Sequence, residues 1–319
     1  MSKWRDVYSK QLTRKTWAEL TPVPKAAKII ELVKQQALSK HPLRSLGLSD
    51  DGPLVLTEED RESHIHILGS PGEGKSKFLE LLLRQDIDSG YGACLLDPSD
   101  NGDTCYKVLK YAIKKGHKKI VLIDPHDIRT FNAVPTIQPI HYKAPAPAVI
   151  GGLMDAIRVL WGQGSFTDTP RIQKYLPAVI AALHAAKMTL AEARYFMDNS
   201  KVYEYRRMKI VESLHDYDLH RRHIESAFKN QYTFEQFQST VNRLQPFLDP
   251  TMELIFGSNE NPLNFLDLVS QGYLILVNLD PEGVFGQEHQ RLLGTIIINE
   301  ITYAISRLRN SGWRGIFYL

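Results

Sequence analysis

One short segment, Gly69–Ser76, restricts the folds open to this chain. It reads Gly-Ser-Pro-Gly-Glu-Gly-Lys-Ser and matches the pattern G-x-x-x-x-G-K-[ST]. The apolar run His64–Leu68 precedes it, and apolar residues recur at helical spacing from Phe78 to Leu83. This order predicts a strand, a tight loop and a helix, the unit found where a parallel sheet carries helices on its faces.

The composition of this segment is typical of a loop that surrounds a polyphosphate. Glycines let the backbone wrap closely enough for its N–H groups to reach an anion, and Pro71 stiffens the turn. Lys75 supplies a cation for the β and γ phosphates, and Ser76 supplies a hydroxyl for Mg²⁺. We therefore expect ATP to be bound by Gly69, Ser70, Pro71, Gly72, Glu73, Gly74, Lys75 and Ser76, with Ser76 also binding Mg²⁺.

Length and composition are those of an ordinary globular protein of about two domains. The chain has 319 residues, of which 43% are hydrophobic and 24% charged, and its net charge of +3 is too small to indicate a nucleic-acid partner. Its two cysteines, Cys94 and Cys105, fit neither a disulfide framework nor a Cys-x-x-Cys metal site and are expected to be buried. The histidines lack partners at ligand spacing, which favours solvated side chains over a metal site.

Apolar runs on either side of a helical segment predict an α/β fold. Residues 93–98 and 119–125 are each apolar and end in Asp-Pro, and a helix closed by Gly116 is expected between them. A strand at 273–279, a long helix at 287–308 and a strand opening at Gly315 follow later. Such alternation predicts a mainly parallel sheet flanked by helices.

The segment before the phosphate loop gives weaker signals. Residues 25–38 have the pattern of an amphipathic helix, and 45–53 are rich in turn residues. Leu54–Leu56 favours a short strand, and Thr57–Asp60 a turn. We therefore divide the chain into an N-terminal helical and linker segment at 1–50, nucleotide-binding core at 51–143 and 251–319, and an all-helical insertion at 144–250.

Basic and aromatic residues are mixed in the middle of the helical insertion. Basic and aromatic groups together can follow a nucleic-acid backbone and stack on bases. A solvated helix face explains them as well and is the favoured interpretation. The residues concerned are Tyr203, Tyr205, Arg206, Arg207, Lys209, Tyr217, Arg221 and Arg222.

Three aspartates follow apolar strands, as a Mg²⁺-binding aspartate would. Asp97, Asp124 and Asp280 are each followed by proline rather than glutamate. Because Asp-Pro commonly starts a turn, a turn is the favoured role for each. Asp97 and Asp124 also remain candidates for the polar rim of the phosphate site.

The order of these segments resembles the HerA and FtsK superfamily of ring-forming DNA-pumping ATPases, especially the coupling-protein and conjugative-transfer ATPases of type IV secretion. Their RecA-like P-loop NTPase fold carries an all-helical module between strands. The segments that carry the resemblance are His64–Ser76, Leu95–Pro98 with Gly102-Asp103, Ile123–Pro125 with Phe131-Asn132, Leu274–Leu279, Gly286, Arg291–Gly294 and Ser306-Arg307.

The resemblance implies an ATP- and Mg²⁺-dependent motor that moves DNA through a homo-hexameric ring. An arginine from a neighbouring subunit assists phosphoryl transfer in such engines, and Arg243, Arg291 and Arg307 are candidates here. In relatives, the strand beginning near Gly315 ends in the aspartate and glutamate of the second nucleotide motif, Walker B. No such pair follows Leu319, so we expect the final strands of the sheet to be missing and the catalytic pair to be unassigned.

Two alternatives to a complete motor are open. The chain could be a truncated module that binds nucleotide without hydrolysis and associates with intact subunits. A small-molecule kinase uses the same loop, but the long helical insertion and the lack of an arginine-rich lid count against it.

No apolar run approaches the ~20 residues that cross a bilayer. Together with the unpaired cysteines this predicts a cytoplasmic protein without a transmembrane segment of its own. By resemblance, it could lie at the inner membrane through contacts with secretion machinery.

Overall fold

The computed structural model describes residues 44–49, 52–62, 64–99, 102–126, 134–161, 170–280 and 286–319. The predicted helix at 25–38 and the pair Phe131-Asn132 lie outside these ranges. Within them, the chain is an α/β structure built on an all-parallel sheet of four strands, with a separate two-stranded hairpin.

The four-stranded sheet has the order β4–β5–β3–β6. Its strands are β3 (Gly92–Asp97), β4 (Ile120–Ile123), β5 (Leu274–Asn278) and β6 (Phe317–Tyr318). β5 is central and pairs with β3 over five residues and with β4 over four. β6 pairs with β3 over two residues, Gly92 and Ala93, so the predicted strand at Gly315–Leu319 is shorter than expected.

Alternate residues of the sheet face two different cores, as the pleat of a strand requires. On one face Ala93 and Leu276 pack with helices α2 (Lys75–Asp88) and α3 (Asp103–Lys114). On the other face Cys94 and Val277 pack with the later helices. Burial on both faces explains why these strands are almost wholly apolar in sequence.

Helices make up the described chain between residues 146 and 270. They are α4 (Ala146–Trp161), α5 (Pro170–Ala185), α6 (Lys201–Val211), α7 (Leu219–Ala227), α8 (Gln231–Val241), α9 (Pro250–Phe256) and α10 (Phe265–Ser270), with 3₁₀ helices at Leu190–Phe196 and Asn242–Leu248. α5 is buried along most of its length, and α4 packs against α11 (Gln287–Asn310). The helical character expected for the insertion is therefore present, and it continues past residue 250 to the start of β5.

The hairpin before the phosphate loop differs from the sequence prediction. β1 (Arg44–Ser49) and β2 (Gly52–Leu56) pair antiparallel where a turn-rich stretch was expected at 45–53. Thr57–Asp60 is the start of a helix, α1 (Glu58–Glu62), rather than a turn. The N–H of Thr57 donates to Asp60 Oδ2 at 2.8 Å, and the N–H of Asp60 donates to Thr57 Oγ1 at 3.0 Å, which is the reciprocal pattern that begins helices.

The prediction of a strand at His64–Leu68 is wrong. Residues 64–70 are irregular, and none of the described strands pairs with them. The side chains of Ile65 and Leu68 are 43% and 79% exposed, so the apolar run that suggested a buried strand is largely exposed to solvent. Strand formation needs a neighbouring backbone to satisfy the N–H and C=O groups, and the described structure places none beside this segment.

Among the described residues, no helix is long and apolar enough to cross a membrane. Both cysteines are buried and unpaired, as predicted.

Candidate phosphate-binding site

The predicted phosphate loop leads directly into the first turn of α2. Gly72 and Gly74 have φ angles of 85° and 89°, in the left-handed region that glycine enters without strain. Gly74 is the residue that caps α2, and it has no side chain that could accept a bond from the first turn. The helix therefore begins with N–H groups available to an outside acceptor, and the positive end of its dipole lies at the loop.

Lys75 folds back over this loop. Its ammonium donates to the carbonyl oxygen of Gly69 at 2.7 Å and to that of Ser70 at 2.8 Å. The N–H of Glu73 donates to the carbonyl oxygen of Ser70 at 3.3 Å, which closes the turn. Residues 69–74 and Ser76 are exposed, so the loop presents its backbone, the Lys75 ammonium and the Ser76 hydroxyl at the surface.

The loop lies at the carboxyl edge of the sheet. α3 starts at this edge, because Asp97 at the end of β3 accepts the N–H of Cys105 at 2.8 Å in the first turn of α3. α2 runs parallel to α3. The first turns of the two helices are close to each other. The pKa of Asp103 in α3 is lowered mainly by the hydrogen bond from Lys107, and also by the charge of Lys77 in the first turn of α2.

Contacts between the C-terminal ends of α2 and α3 also show that the two helices run in the same direction. Asp88, the last residue of α2, accepts the hydroxyl of Tyr111 at 2.7 Å and pairs with Lys115 at 2.9 Å. Both helices thus begin at the edge where ligands bind in open parallel α/β sheets.

Asp97 at this edge has a structural role. Beyond the bond from Cys105, its carboxylate accepts the N–H of Ser99 at 3.1 Å and the hydroxyl of Ser99 at 2.5 Å. It is 5% exposed. The preference for a turn at Asp97-Pro98 is confirmed, and the carboxylate additionally caps α3.

Asp124 is the centre of a second polar cluster at the same edge. It is 1% exposed and accepts hydrogen bonds from Asn278 Nδ2 and from the N–H of His126, both at 2.9 Å, and from the hydroxyl of Tyr106. Burial alone would raise the pKa of Asp124, but these hydrogen bonds outweigh it and hold the pKa below its usual value.

The cluster around Asp124 extends to the end of β5. Asn278 Oδ1 accepts the N–H of Asp280 at 3.1 Å, and a Cβ added to Gly102 would lie 2.7 Å from the Asn278 side chain. Tyr106 and Asn278 had no recognisable signal in the sequence, since each looks like an ordinary helix or strand residue. Their role depends on contacts with Asp124, which is 18 residues from Tyr106 and 154 residues from Asn278 in the sequence.

Two of the three candidate arginines lie at opposite ends of one helix, and the third lies in the helical insertion. Arg291 is exposed near the start of α11, and Arg307 is exposed near its end, about 24 Å away along the helix axis. Arg307 donates to the hydroxyl of Tyr303 at 3.1 Å. Arg243 is half-buried in the helical region and donates to the carbonyl oxygen of Ser239 at 3.2 Å. The structure therefore does not bring these residues together at the phosphate loop.

Several basic residues of the helical region are already used within the fold. Arg207 is 6% exposed, donates to the carbonyl oxygens of Tyr195 and Asp198, and lies over the ring of Phe228. Arg221 pairs with Asp216 and Glu225. Arg207 is therefore buried rather than on the solvated helix face that the sequence favoured, and the contacts of Arg207 and Arg221 reduce the cations available to a polyanion.

Candidate metal ligands are few in the part of the chain that the structure describes. It contains no group of three or more His, Cys, Asp or Glu side chains that could hold a metal ion. A Mg²⁺ ion at the loop would therefore take the Ser76 hydroxyl, phosphate oxygens and water as ligands, which is a usual arrangement for Mg²⁺ beside phosphates.

No protein-family model matches the chain, and a search of curated proteins returns no significant match. The function proposed below therefore depends on the loop geometry and on the order of motifs in the sequence.

Proposed function

We propose that this chain is the ATP-binding part of a DNA translocase of the kind that couples ATP hydrolysis to DNA transfer in conjugation and type IV secretion. The observation that carries the nucleotide-binding part is the loop at the start of α2, with its two left-handed glycines and a lysine folded over it. The order of the other motifs supports the translocase part.

The residues of the loop fit a polyphosphate. The first-turn N–H groups of α2 donate to phosphate oxygens, because Gly74 offers them no side-chain acceptor. Lys75 exchanges the neutral carbonyl oxygens of Gly69 and Ser70 for charged phosphate oxygens, which are stronger acceptors. The Ser76 hydroxyl provides an oxygen ligand for Mg²⁺, which when bound neutralises charge on the β and γ phosphates.

The remaining features of the translocase belong to the same proposal. The motif order supports assembly into a homo-hexamer with DNA as the substrate and an arginine contributed by a neighbouring subunit. Arg291 is the best placed of the three candidates, because it is exposed near the start of α11, which follows the central strand β5. Association with membrane secretion machinery is proposed on the resemblance alone.

Nucleotide binding is tested by titrating ATP and Mg²⁺ into the protein and measuring heat. Lys75→Ala should weaken ATP binding about 10- to 100-fold, the effect of losing a charge-assisted hydrogen bond. Lys77→Ala is the matched control, because Lys77 lies two residues further along the same helix and pairs with Glu80 at 2.7 Å. Equal losses in the two variants, or no heat with the unmodified protein, would contradict the proposal.

A second candidate is nucleotide binding without hydrolysis. It is favoured by the hydrogen bonds that Asp97 and Asp124 already accept from neighbouring turns, helices and strands, which reduce their capacity to bind Mg²⁺ or to orient water. Measuring phosphate release with and without DNA separates the two candidates. Release that DNA stimulates supports the motor, whereas tight ATP binding with no release supports the second candidate.

A further inference from the structure

A cleft lies between α4 and α11, on the face of the sheet opposite to α2 and α3. It encloses about 90 Å³. Apolar side chains of both helices form its walls, and polar groups lie at one end. The residues that matter for binding are His141, Val149, Gly152, Leu153, Glu300 and Tyr303.

Gly152 keeps this cleft open. It lies in the middle of α4, where glycine costs about 0.5–1 kcal/mol relative to alanine. A Cβ added to Gly152 would meet no atom within 4 Å, so packing does not require glycine there. A side chain at this position would extend over the cleft, and its absence is what leaves the space accessible.

Glu300 is a buried carboxylate at the polar end of the cleft. It is 7% exposed, and in the described structure it accepts hydrogen bonds from one group, His141 Nε2, at 2.8 and 3.0 Å. An ionised carboxylate can accept about four hydrogen bonds, so most of its capacity is unused. Buried polar groups of this kind are normally satisfied by further partners.

The surroundings of Glu300 favour a flat cationic ligand. The rings of His141 and Tyr303 stack at 5.2 Å with 14° between their planes, which gives the cleft an aromatic wall. Arg307 donates to the Tyr303 hydroxyl but makes no ion pair with Glu300 among the described contacts. Among the described contacts, no Lys or Arg side chain pairs with this carboxylate, and its hydrogen-bond partner is the imidazole of His141.

We propose that this cleft binds a small molecule with a flat apolar body and an amidinium, guanidinium or ammonium group. The cationic group donates hydrogen bonds to Glu300, and the apolar body packs between Val149 and Leu153 beside the Tyr303 ring. None of the residues that line the cleft belongs to the phosphate loop. The cleft lies between α4, the first helix of the helical insertion, and α11, the helix that follows β5.

Benzamidine is a suitable probe, because it combines a planar ring with an amidinium group. A ligand-observed NMR titration should show binding with a Kd on the order of 1 mM, typical of a fragment of this size. In a second, protein-observed titration the imidazole signals of His141 should shift. Benzoate, which has the same shape and the opposite charge, should not bind.

Two variants and a matched control test the location. Gly152→Leu should weaken benzamidine binding at least about tenfold by filling the cleft, and Glu300→Gln should do so by removing the charge. Gly151→Leu should leave binding unchanged, because Gly151 is exposed on the same helix and does not line the cleft. Circular dichroism and melting temperature establish that each variant is folded.

The proposal is overturned if benzamidine does not bind the unmodified protein or if benzoate binds equally well. It is also overturned if folded Gly152→Leu binds benzamidine as the unmodified protein does. Loss of benzamidine binding by Gly152→Leu and Glu300→Gln, but not by Gly151→Leu, supports it.

Discussion

Arg61 and Asp86 form a bidentate ion pair, with Nη1 donating to Oδ1 at 2.6 Å and Nη2 donating to Oδ2 at 2.9 Å. Arg44 donates to the same Oδ1 through Nε at 2.7 Å. The side chains of Asp86, Arg44 and Arg61 are 1%, 2% and 8% exposed. One buried carboxylate therefore holds both β1 and α1 against the end of α2.

Replacing that carboxylate should destabilise the protein strongly. Asp86→Ala would remove the carboxylate that two buried guanidinium groups share, so we expect a loss of about 3–5 kcal/mol in the free energy of unfolding. Urea unfolding followed by circular dichroism measures the change. In Asp88→Ala, the control two residues away, an exposed pair with Lys115 and an exposed hydrogen bond from Tyr111 are removed, and the loss should be about 1 kcal/mol, a third or less of that for Asp86→Ala. Similar losses in the two variants would contradict this role for Asp86.

A substitution in the phosphate loop should act through the backbone alone. A Cβ added to Gly74 would meet no atom within 4 Å, but the φ of 89° is one that other residues adopt only with strain. We expect Gly74→Ala to cost about 1–2 kcal/mol of stability and to weaken ATP binding. Gly151→Ala, in a helix and equally uncrowded, should instead stabilise the protein by about 0.5–1 kcal/mol. Thermal unfolding of both variants tests the contrast, which fails if the two changes have the same sign.

Asp124 should make stability depend on pH in acid. Its pKa is lowered in the folded protein, so its contribution is fully present above the unfolded pKa of about 3.9 and is lost as pH falls through the lower folded pKa. Comparing the unfolding free energies of the unmodified protein and Asp124→Asn from pH 6 down to pH 2 measures this contribution. The gap between them should narrow as the pH falls, and a constant gap would show that the charge of Asp124 is not responsible.

The two cysteines should be unreactive in the native state. Burial and the carboxylates of Asp97 and Asp124 raise the pKa of Cys105 to about 12, and burial together with Cys105 raises the pKa of Cys94 still further. At pH 8 the thiolate fraction of Cys105 is therefore on the order of a thousandfold below that of an ordinary cysteine. An aromatic disulfide reagent should detect no thiol in the native protein and both after denaturation. Rapid reaction of the folded protein would contradict this burial.

The parts of the fold that were predictable from sequence are those fixed by local pattern. β3 and β5 are apolar because both of their faces are covered, and α11 repeats apolar residues along one face, so each was recognised. His64–Leu68 has the same apolar character, but a strand also needs a neighbouring backbone, which is a property of the whole fold and not of the segment.

The phosphate site stays a prediction from one short motif that contains Gly72, Gly74 and Lys75. The structure adds that the two glycines have positive φ angles. The clusters around Asp86 and Asp124 were not predicted, because their donors come from distant segments: Arg44 and Arg61 for one, Asn278 for the other. Ion pairs and hydrogen bonds between distant segments leave no periodic signal in the sequence.

The hydrogen bonds from Lys75 to the carbonyl oxygens of Gly69 and Ser70 should affect both the rate and the entropy of ligand binding. If the loop binds an anion as proposed, Lys75 already holds its backbone before the anion arrives, so part of the cost of ordering the loop is met during folding rather than on binding. A ligand then needs to displace two weak internal acceptors and move one side chain. We therefore expect this preorganised loop to bind its ligand rapidly and with little change in backbone conformation.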